Sequence, residues 1–191
     1  MEIVELMTAR LSLRCPSEVD IPRIAEICGD AAIAEFTTVP YPYETKHARG
    51  FVVDVIPAGW ASGSSLTWGI YELSGLRILG VVSLSRIEAG MAELGYWIDP
   101  EARGRGLMTE AAARVVEYAL AEAPVGLGLD RLGWEAITTN IASARVAQKL
   151  GFTWEGQRRG AGVRFGQRYD LTLAGLVRSD VRSPTAWPST A

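Results

Sequence analysis

The chain has 191 residues, 48% of them hydrophobic and 21% charged, with a formal net charge of −3. This is ordinary globular composition for a single domain that can bury a core without disulfides or metals, and the acidic balance argues against a general nucleic-acid surface. Cys15 and Cys28 lack Cys-x-x-Cys spacing, and the single histidine, His47, rules out a histidine-rich metal site, so no metal is expected. The start has no basic segment leading into an apolar run, and no apolar stretch approaches the roughly 20 residues that span a bilayer; the expectation is a cytoplasmic protein without a membrane partner.

The elements follow in order. ARLSLRC (9–15) alternates as a strand. SEVDIPRIAEICGD (17–30) reads as a helix capped by Ser17, with Asp20 three residues on. A proline-broken loop, VPYPYE, leads to a second helix from about Glu44 that should end before Pro57, and AGWASGSS (58–65) reads as a turn. LTWGIYEL (66–73), RILGVVSLSRI (77–87) and MAELGYWID (91–99) read as an antiparallel meander. The next helix places Ala112, Val115, Val116, Ala119, Leu120 and Ala123 on one face and stops at Pro124. RLGWEAITT (131–139) is a strand and IASARVAQKL (141–150) a short helix ended by Gly151. FTWEGQR (152–158) and QRYDLTLAGL (167–176) are strands around a Gly- and Arg-rich loop. A strand, helix, strand crossover makes the strands at 91–99 and 131–139 parallel. The fold class is therefore α/β (α+β): one mixed, mostly antiparallel sheet of about six or seven strands with helices on its faces. Residues 1–182 form the domain, and 183–191 are expected to be a disordered tail.

IDPEARGRGLMTEAAARVVEYAL (98–120) poses the main chemical question. It places Gly104 and Gly106 between and beside Arg103 and Arg105 at the mouth of a helix. A helix start exposes unpartnered N–H groups and the positive end of the dipole, which suits an anion. Glycines let a ligand approach the backbone, and the arginines can add charge-assisted bonds to phosphate. The stretch lacks the lysine of a phosphate-binding Walker loop, and the third glycine of a dinucleotide fingerprint would fall at Thr109. The alternative is a solvated arginine turn.

RGRGLM resembles the Gln/Arg-x-x-Gly-x-Gly/Ala signature of the GNAT acyl-CoA-dependent N-acetyltransferases, with Arg103 and Gly106 matched and Met108 in the final small-residue slot. ARLSLR, ELGYWIDPEARGRGLMTEA, NIASARVAQKLGF (140–152) and EGQRR (155–159) follow the order of the RimJ/RimL-type subgroup, which acetylates protein N-terminal amines. The resemblance covers residues 8 to 176. It implies a GNAT-like domain whose central strand pair splays after a bulge in the strand at 91–99, with the pantetheine arm of acetyl-CoA in the gap. It implies that backbone groups of Tyr96, Trp97 and Ile98 face that arm. Arg103, Gly104, Arg105, Gly106, Leu107, Met108 and Thr109 would wrap the pyrophosphate.

The same resemblance implies direct attack of an amine on the acetyl thioester. It makes Glu93 the base, directly or through water, against the alternative of a solvent-facing glutamate. Many members carry a tyrosine acid in the short helix, yet this chain has none between Tyr118 and Tyr169. Asn140 and Ser143 stand there instead: Asn140 for the pantetheine arm, Ser143 to protonate or hydrogen-bond the sulfur. Asn140 also suits a helix N-cap. Tyr41 and Tyr43 would line the acceptor mouth. The partners implied are an acyl-CoA and an amine acceptor, a peptide or protein N-terminus first, with homodimerisation common in the family. A small metabolite or amine antibiotic, in self-resistance, is the rival acceptor. A silent acyl-CoA-binding module is the rival from another class.

Overall fold

The computed structural model describes residues 1–188. Eight strands form one sheet in the order β1-β2-β3-β4-β5-β6-β8-β7. They are β1 (Leu6–Met7), β2 (Leu11–Arg14), β3 (Leu66–Glu72), β4 (Gly80–Glu88), β5 (Met91–Ile98), β6 (Arg131–Ile137), β7 (Thr153–Arg164) and β8 (Gln167–Val177). Every pair is antiparallel except β5 with β6. The expected mixed, mostly antiparallel sheet is present, and the additional strand is the two-residue β1 at one edge.

The helices are α1 (Ile21–Cys28), α2 (Ala31–Phe36), α3 (Thr45–Gly50), α4 (Ile56–Ser62), α5 (Leu107–Leu120) and α6 (Ile141–Lys149). They cover both faces. Ala112, Val115, Val116, Ala119 and Leu120 of α5 are buried in the main core with Leu84, Leu94, Leu132 and Trp68. On the other face, Ile21, Ile24 and Cys28 of α1 pack with Ala48, Tyr71, Ile78 and Val81. α5 ends at Leu120, one turn before Pro124. Among the described residues, no helix is long and apolar enough to cross a membrane.

The helix beginning after Glu44 does not end before Pro57. It runs from α3 through a widened π turn, Phe51–Val55, into α4, where Ile56 N–H bonds to Phe51 O. The extra residue in that turn restarts the helical ladder, so Pro57 sits at the start of a new segment, where a missing N–H costs little. Gly63, left-handed at φ 72°, then ends α4.

The parallel ladder between β5 and β6 is short. It pairs Met91 with Arg131, Ala92 with Leu132 and Glu93 with Gly133, and stops. β5 continues to Ile98 along β4, and β6 to Ile137 along β8, so the two strands part at the sheet centre. The bulge expected in β5 lies across from it, in β4: Arg86 and Ile87 together oppose Ala92, and Arg86 takes φ 52°. An extra residue on one strand bends it and re-aims the side chain at the bulge.

Residues 183–188, placed in the expected disordered tail, carry no regular secondary structure, but Thr185 Oγ1 and Trp187 Nε1 donate to Phe152 O at 2.5 and 2.8 Å. Residues 189–191 lie outside the described residues.

Two ion pairs anchor the ends of the β5–α5 connection. Arg23 of α1 pairs with buried Asp99, just past β5. Glu110, in the first turn of α5, accepts from Thr8 Oγ1 (2.6 Å), Arg10 Nε (2.6 Å) and Arg10 N (3.1 Å). Burial alone would raise the Glu110 pKa, but these bonds outweigh it and hold the carboxyl below its ordinary value. A depressed pKa in the folded state contributes stability above the unfolded value of about 4.3, lost as pH falls through the folded value. Thermal melts of Glu110→Gln should therefore show a lower Tm than the wild type at pH 7, with the gap closing in acid. An equal gap at pH 7 and pH 3 would contradict this.

Candidate active site

The glycine cluster stands where β5 hands over to α5. Asp99–Pro100 turns the chain through a short 3₁₀ segment, and Gly104 and Gly106 follow at φ 76° and 75°. Both angles are left-handed, where a side chain would be strained. Nothing lies within 4 Å of where a Cβ on Gly104 would stand, so the loop presents bare backbone to open space. Gly106 occupies the N-cap of α5, and no side chain caps that end. The first N–H groups of a 14-residue helix are thus left for an external acceptor.

The expected phosphate loop differs in detail among its residues. Arg103 is exposed and makes no ion pair among the described residues. Arg105 Nη2 already holds Glu72 Oε1 at 2.6 Å, and its carbonyl accepts from Arg10. Leu107 and Met108 are buried in the main core. The methionine in the small-residue slot is therefore core filler, and only its backbone faces outward.

Beyond the ladder, β5 is a one-sided edge. Asp99 N donates to Leu79 O at 2.8 Å, so alternation turns the backbone groups of Trp97 toward β4 and those of Tyr96 and Ile98 toward the gap. Of the three backbone positions, Tyr96 and Ile98 turn to the gap and Trp97 does not. The loop, the helix end and the strand edge together suit an extended molecule with an anionic end.

Glu93 sits in the last rung of the ladder, on the face of β5 opposite Leu94 and Tyr96. It is half-buried and is not a plain solvent-facing residue: its Oε2 accepts from Arg86 Nη1 at 2.5 Å, across the β4 bulge. Burial raises its pKa above the ordinary carboxylate value. Arg86 pulls it down, nearby Glu135 pushes it up, and Arg158, itself paired with Glu135, pulls it down again. A groove of about 260 Å³ opens beside it, lined by Arg86, Glu93, Arg131, Gly133, Glu135 and Glu155 among others.

The other face carries Tyr96, Ser143 and Asn140. Asn140 caps α6, its Oδ1 accepting from Ser143 N at 3.2 Å, which leaves its amide N–H₂ for another partner. Ser143 Oγ lies 3.1 Å from Tyr96 Oη and 3.2 Å from Trp134 Nε1. Glu93 and Ser143 therefore lie on opposite faces of β5. The two tyrosines of the 41–43 loop also part company. Tyr41 is exposed and packs edge-on against Phe165 in the β7–β8 turn, at 5.6 Å between centroids. Tyr43 packs with Trp97 on the second core, on the Glu93 face, and burial pushes its phenol above the ordinary value. The Gly- and Arg-rich loop is the tip of one long hairpin, and Arg164 clasps it to the carbonyls of Ala34 and Val39.

Residues 10–153 match the Acetyltransferase (GNAT) domain family. The chain belongs to the GNAT acetyltransferases. Probable N-acetyltransferase YjcK of Bacillus subtilis is 39% identical over 48% of this chain, a match that spans half of YjcK's own length. Uncharacterized N-acetyltransferase YoaA of the same organism is 29% identical over 91% of this chain and 96% of its own. The structure of RimL, the ribosomal L7/L12 alpha-N-protein acetyltransferase, in complex with coenzyme A shares the fold, with a TM-score of 0.79 at 23% identity. It covers 92% of this chain and 98% of that one. Family membership brings acetyl-CoA as acyl donor, and among the described residues no cluster of His, Cys, Asp or Glu is built to hold a metal.

Arg86, Trp134 and the side chain of Tyr96 were not singled out from sequence. Only the bulge brings Arg86 to Glu93, and only the folded crossover brings Trp134 to Ser143. Since Arg86 opposes the upward pull of burial on Glu93, Arg86→Gln should raise the Glu93 pKa further. A carboxyl ¹³C titration reads this directly, and an unchanged or lower value would contradict the assignment.

Proposed function

We propose that this GNAT acetyltransferase transfers the acetyl group of acetyl-CoA to a primary amine, the N-terminal α-amine of a peptide or protein, by direct attack. The observation that carries the reading is Glu93 at the point where the β5–β6 ladder ends, half-buried, raised in pKa and open to a groove. Similarity to RimL supports the peptide N-terminus as acceptor class. So does acid–base arithmetic. An α-amine of pKa about 7.7–8.0 is roughly a tenth neutral at pH 7, while a lysine of pKa about 10.4 is neutral in fewer than one molecule in a thousand. A single carboxylate, directly or through one water, suffices for the first.

Each residue then has a task. The N–H groups at the start of α5, Gly104, Gly106 and the Arg103 guanidinium hold the pyrophosphate; Arg105 joins by exchanging its bond to Glu72. Tyr96 and Ile98 offer backbone groups to the pantetheine arm, and Asn140 offers its free amide. When bound, acetyl-CoA supplies an activated carbonyl and a thiol leaving group. A β5 N–H stabilises the oxyanion, Glu93 takes the ammonium proton, and Ser143 faces the sulfur. Tyr43, on the Glu93 face, lines the acceptor side.

Isothermal calorimetry with acetyl-CoA should show binding that weakens at least tenfold in Arg103→Ala/Arg105→Ala, in line with the loss of charge-assisted bonds. Absence of heat with the wild type would sink the reading. Thiol release over a panel of peptide N-termini, lysine-only peptides, small amines and aminoglycosides should favour peptide N-termini; a preference for any other acceptor would replace the proposed one. Glu93→Gln should lower the rate by about 10²–10⁴, most between the Glu93 pKa and that of the ammonium, and less above pH 8, where the amine is already neutral. A pH–rate profile of unchanged shape would remove Glu93 as base.

A further inference from the structure

Tyr96 Oη has three polar neighbours. It donates to Ser143 O at 3.0 Å, and it lies 3.1 Å from both Ser143 Oγ and Trp134 Nε1. Trp134 Nε1 also reaches Ser143 Oγ at 3.2 Å. The three residues come from the elements that bound the gap: β5 past its last rung, β6 one residue after Gly133, and the first turn of α6.

Proton counting limits what this cluster can do. A phenol has one proton and two lone pairs, a serine hydroxyl the same, and an indole N–H only donates. With the tyrosine proton on Ser143 O, the serine proton goes to Tyr96 Oη, and a serine turned to a ligand would give up that bond without gaining a donor from the phenol. The tyrosine proton has a second acceptor at nearly the same distance, Ser143 Oγ. Turning it there frees the serine proton to point away from the protein, with no heavy atom displaced. Trp134 only donates, so in the second arrangement indole and phenol donate to the serine, and the serine donates outward.

We propose that Tyr96 is a positioning residue for Ser143, the second proton donor that lets the serine hydrogen-bond the sulfur of CoA as its thiolate leaves. The inference rests on the acyl-CoA reading above. No covalent bond forms or breaks within the cluster; two hydroxyl protons rotate, and the thiolate gains one hydrogen bond. Burial keeps the Tyr96 phenol protonated far above neutral pH, so the donor is always present. Trp187 packs on Trp134 at 5.3 Å and holds the indole in place. The phenol thus reaches the short helix from the strand, in a chain whose short helix carries no tyrosine of its own.

The test compares calorimetric affinities of CoA and desulfo-CoA, which lacks only the sulfur, between pH 7 and pH 9.5. In the wild type the preference for CoA should grow with pH as the bound thiol ionises, reaching roughly tenfold or more, the scale of a hydrogen bond to a charged group. Tyr96→Phe and Ser143→Ala should each flatten that preference and leave the affinity for desulfo-CoA within about twofold. The double variant should be no flatter than Ser143→Ala alone, because Tyr96 acts through Ser143. Equal weakening of both ligands by Tyr96→Phe would mean a purely structural cluster and overturn the proposal. So would an undiminished slope in Ser143→Ala, which decides the matter even if Tyr96→Phe fails to fold. A wild type that binds neither ligand overturns the acyl-CoA reading itself, whereas binding of both with no pH-dependent preference overturns only this proposal.

Discussion

A sheet strand that loses its neighbour must find other partners for its backbone. β5 keeps β6 for three residues and then runs on with one edge open at Tyr96 and Ile98. Buried or half-buried N–H and C=O groups left so are costly unless something pairs with them. The rest of the site is arranged around that edge. β4, bent by the bulge at Arg86–Ile87, holds β5 from the other side; Asp99, pinned by Arg23, ends it; α5 begins where it stops. An extended chain of amides with a phosphate end suits this edge and the helix start beyond it.

The same break in the ladder separates two chemical environments. Glu93, in the last rung, faces the groove with its arginine partner. Tyr96, three residues on, faces α6 and the half-buried cluster with Ser143 and Trp134. Period-2 alternation alone places a carboxylate on one side of the strand and a hydroxyl network on the other. The strand edge between them is where a thioester would reach both: the amine side meets a carboxylate whose pKa burial has raised, and the thiol side meets hydroxyls whose protons can turn. Burial and Glu135 push the Glu93 pKa up, and Arg86 and Arg158 pull it down, with a net rise.

Much of this could be read from residue order, and the remainder fails for definable reasons. The apolar period of α5, the strand runs of β3 to β5 with their short turns and the crossover to β6 are local signals, and each is present in the structure. So is the glycine pair before Leu107, because left-handed turns leave a direct compositional trace. Pro57 misled because a proline at the start of a helical turn looks in sequence like one that ends a helix; only the π turn before it distinguishes them. Gly160, Gly162 and Gly166 made a hairpin tip resemble a loop. Arg86–Glu93 and Tyr96–Ser143–Trp134 depend on a bulge and on three elements meeting, and no spacing along the chain encodes either. Met108 was ambiguous in sequence because its backbone and side chain face opposite ways.

The central claim is that the open edge of β5 and the uncapped start of α5 take one extended acyl-CoA. Amide hydrogen exchange measured by NMR, with and without CoA, tests it residue by residue. Exchange at Tyr96, Ile98, Leu107, Met108 and Thr109 should slow on addition of CoA, while Trp97, whose backbone already faces β4, should change far less. Protection appearing elsewhere, with these five amides unchanged at saturating CoA, would contradict the account.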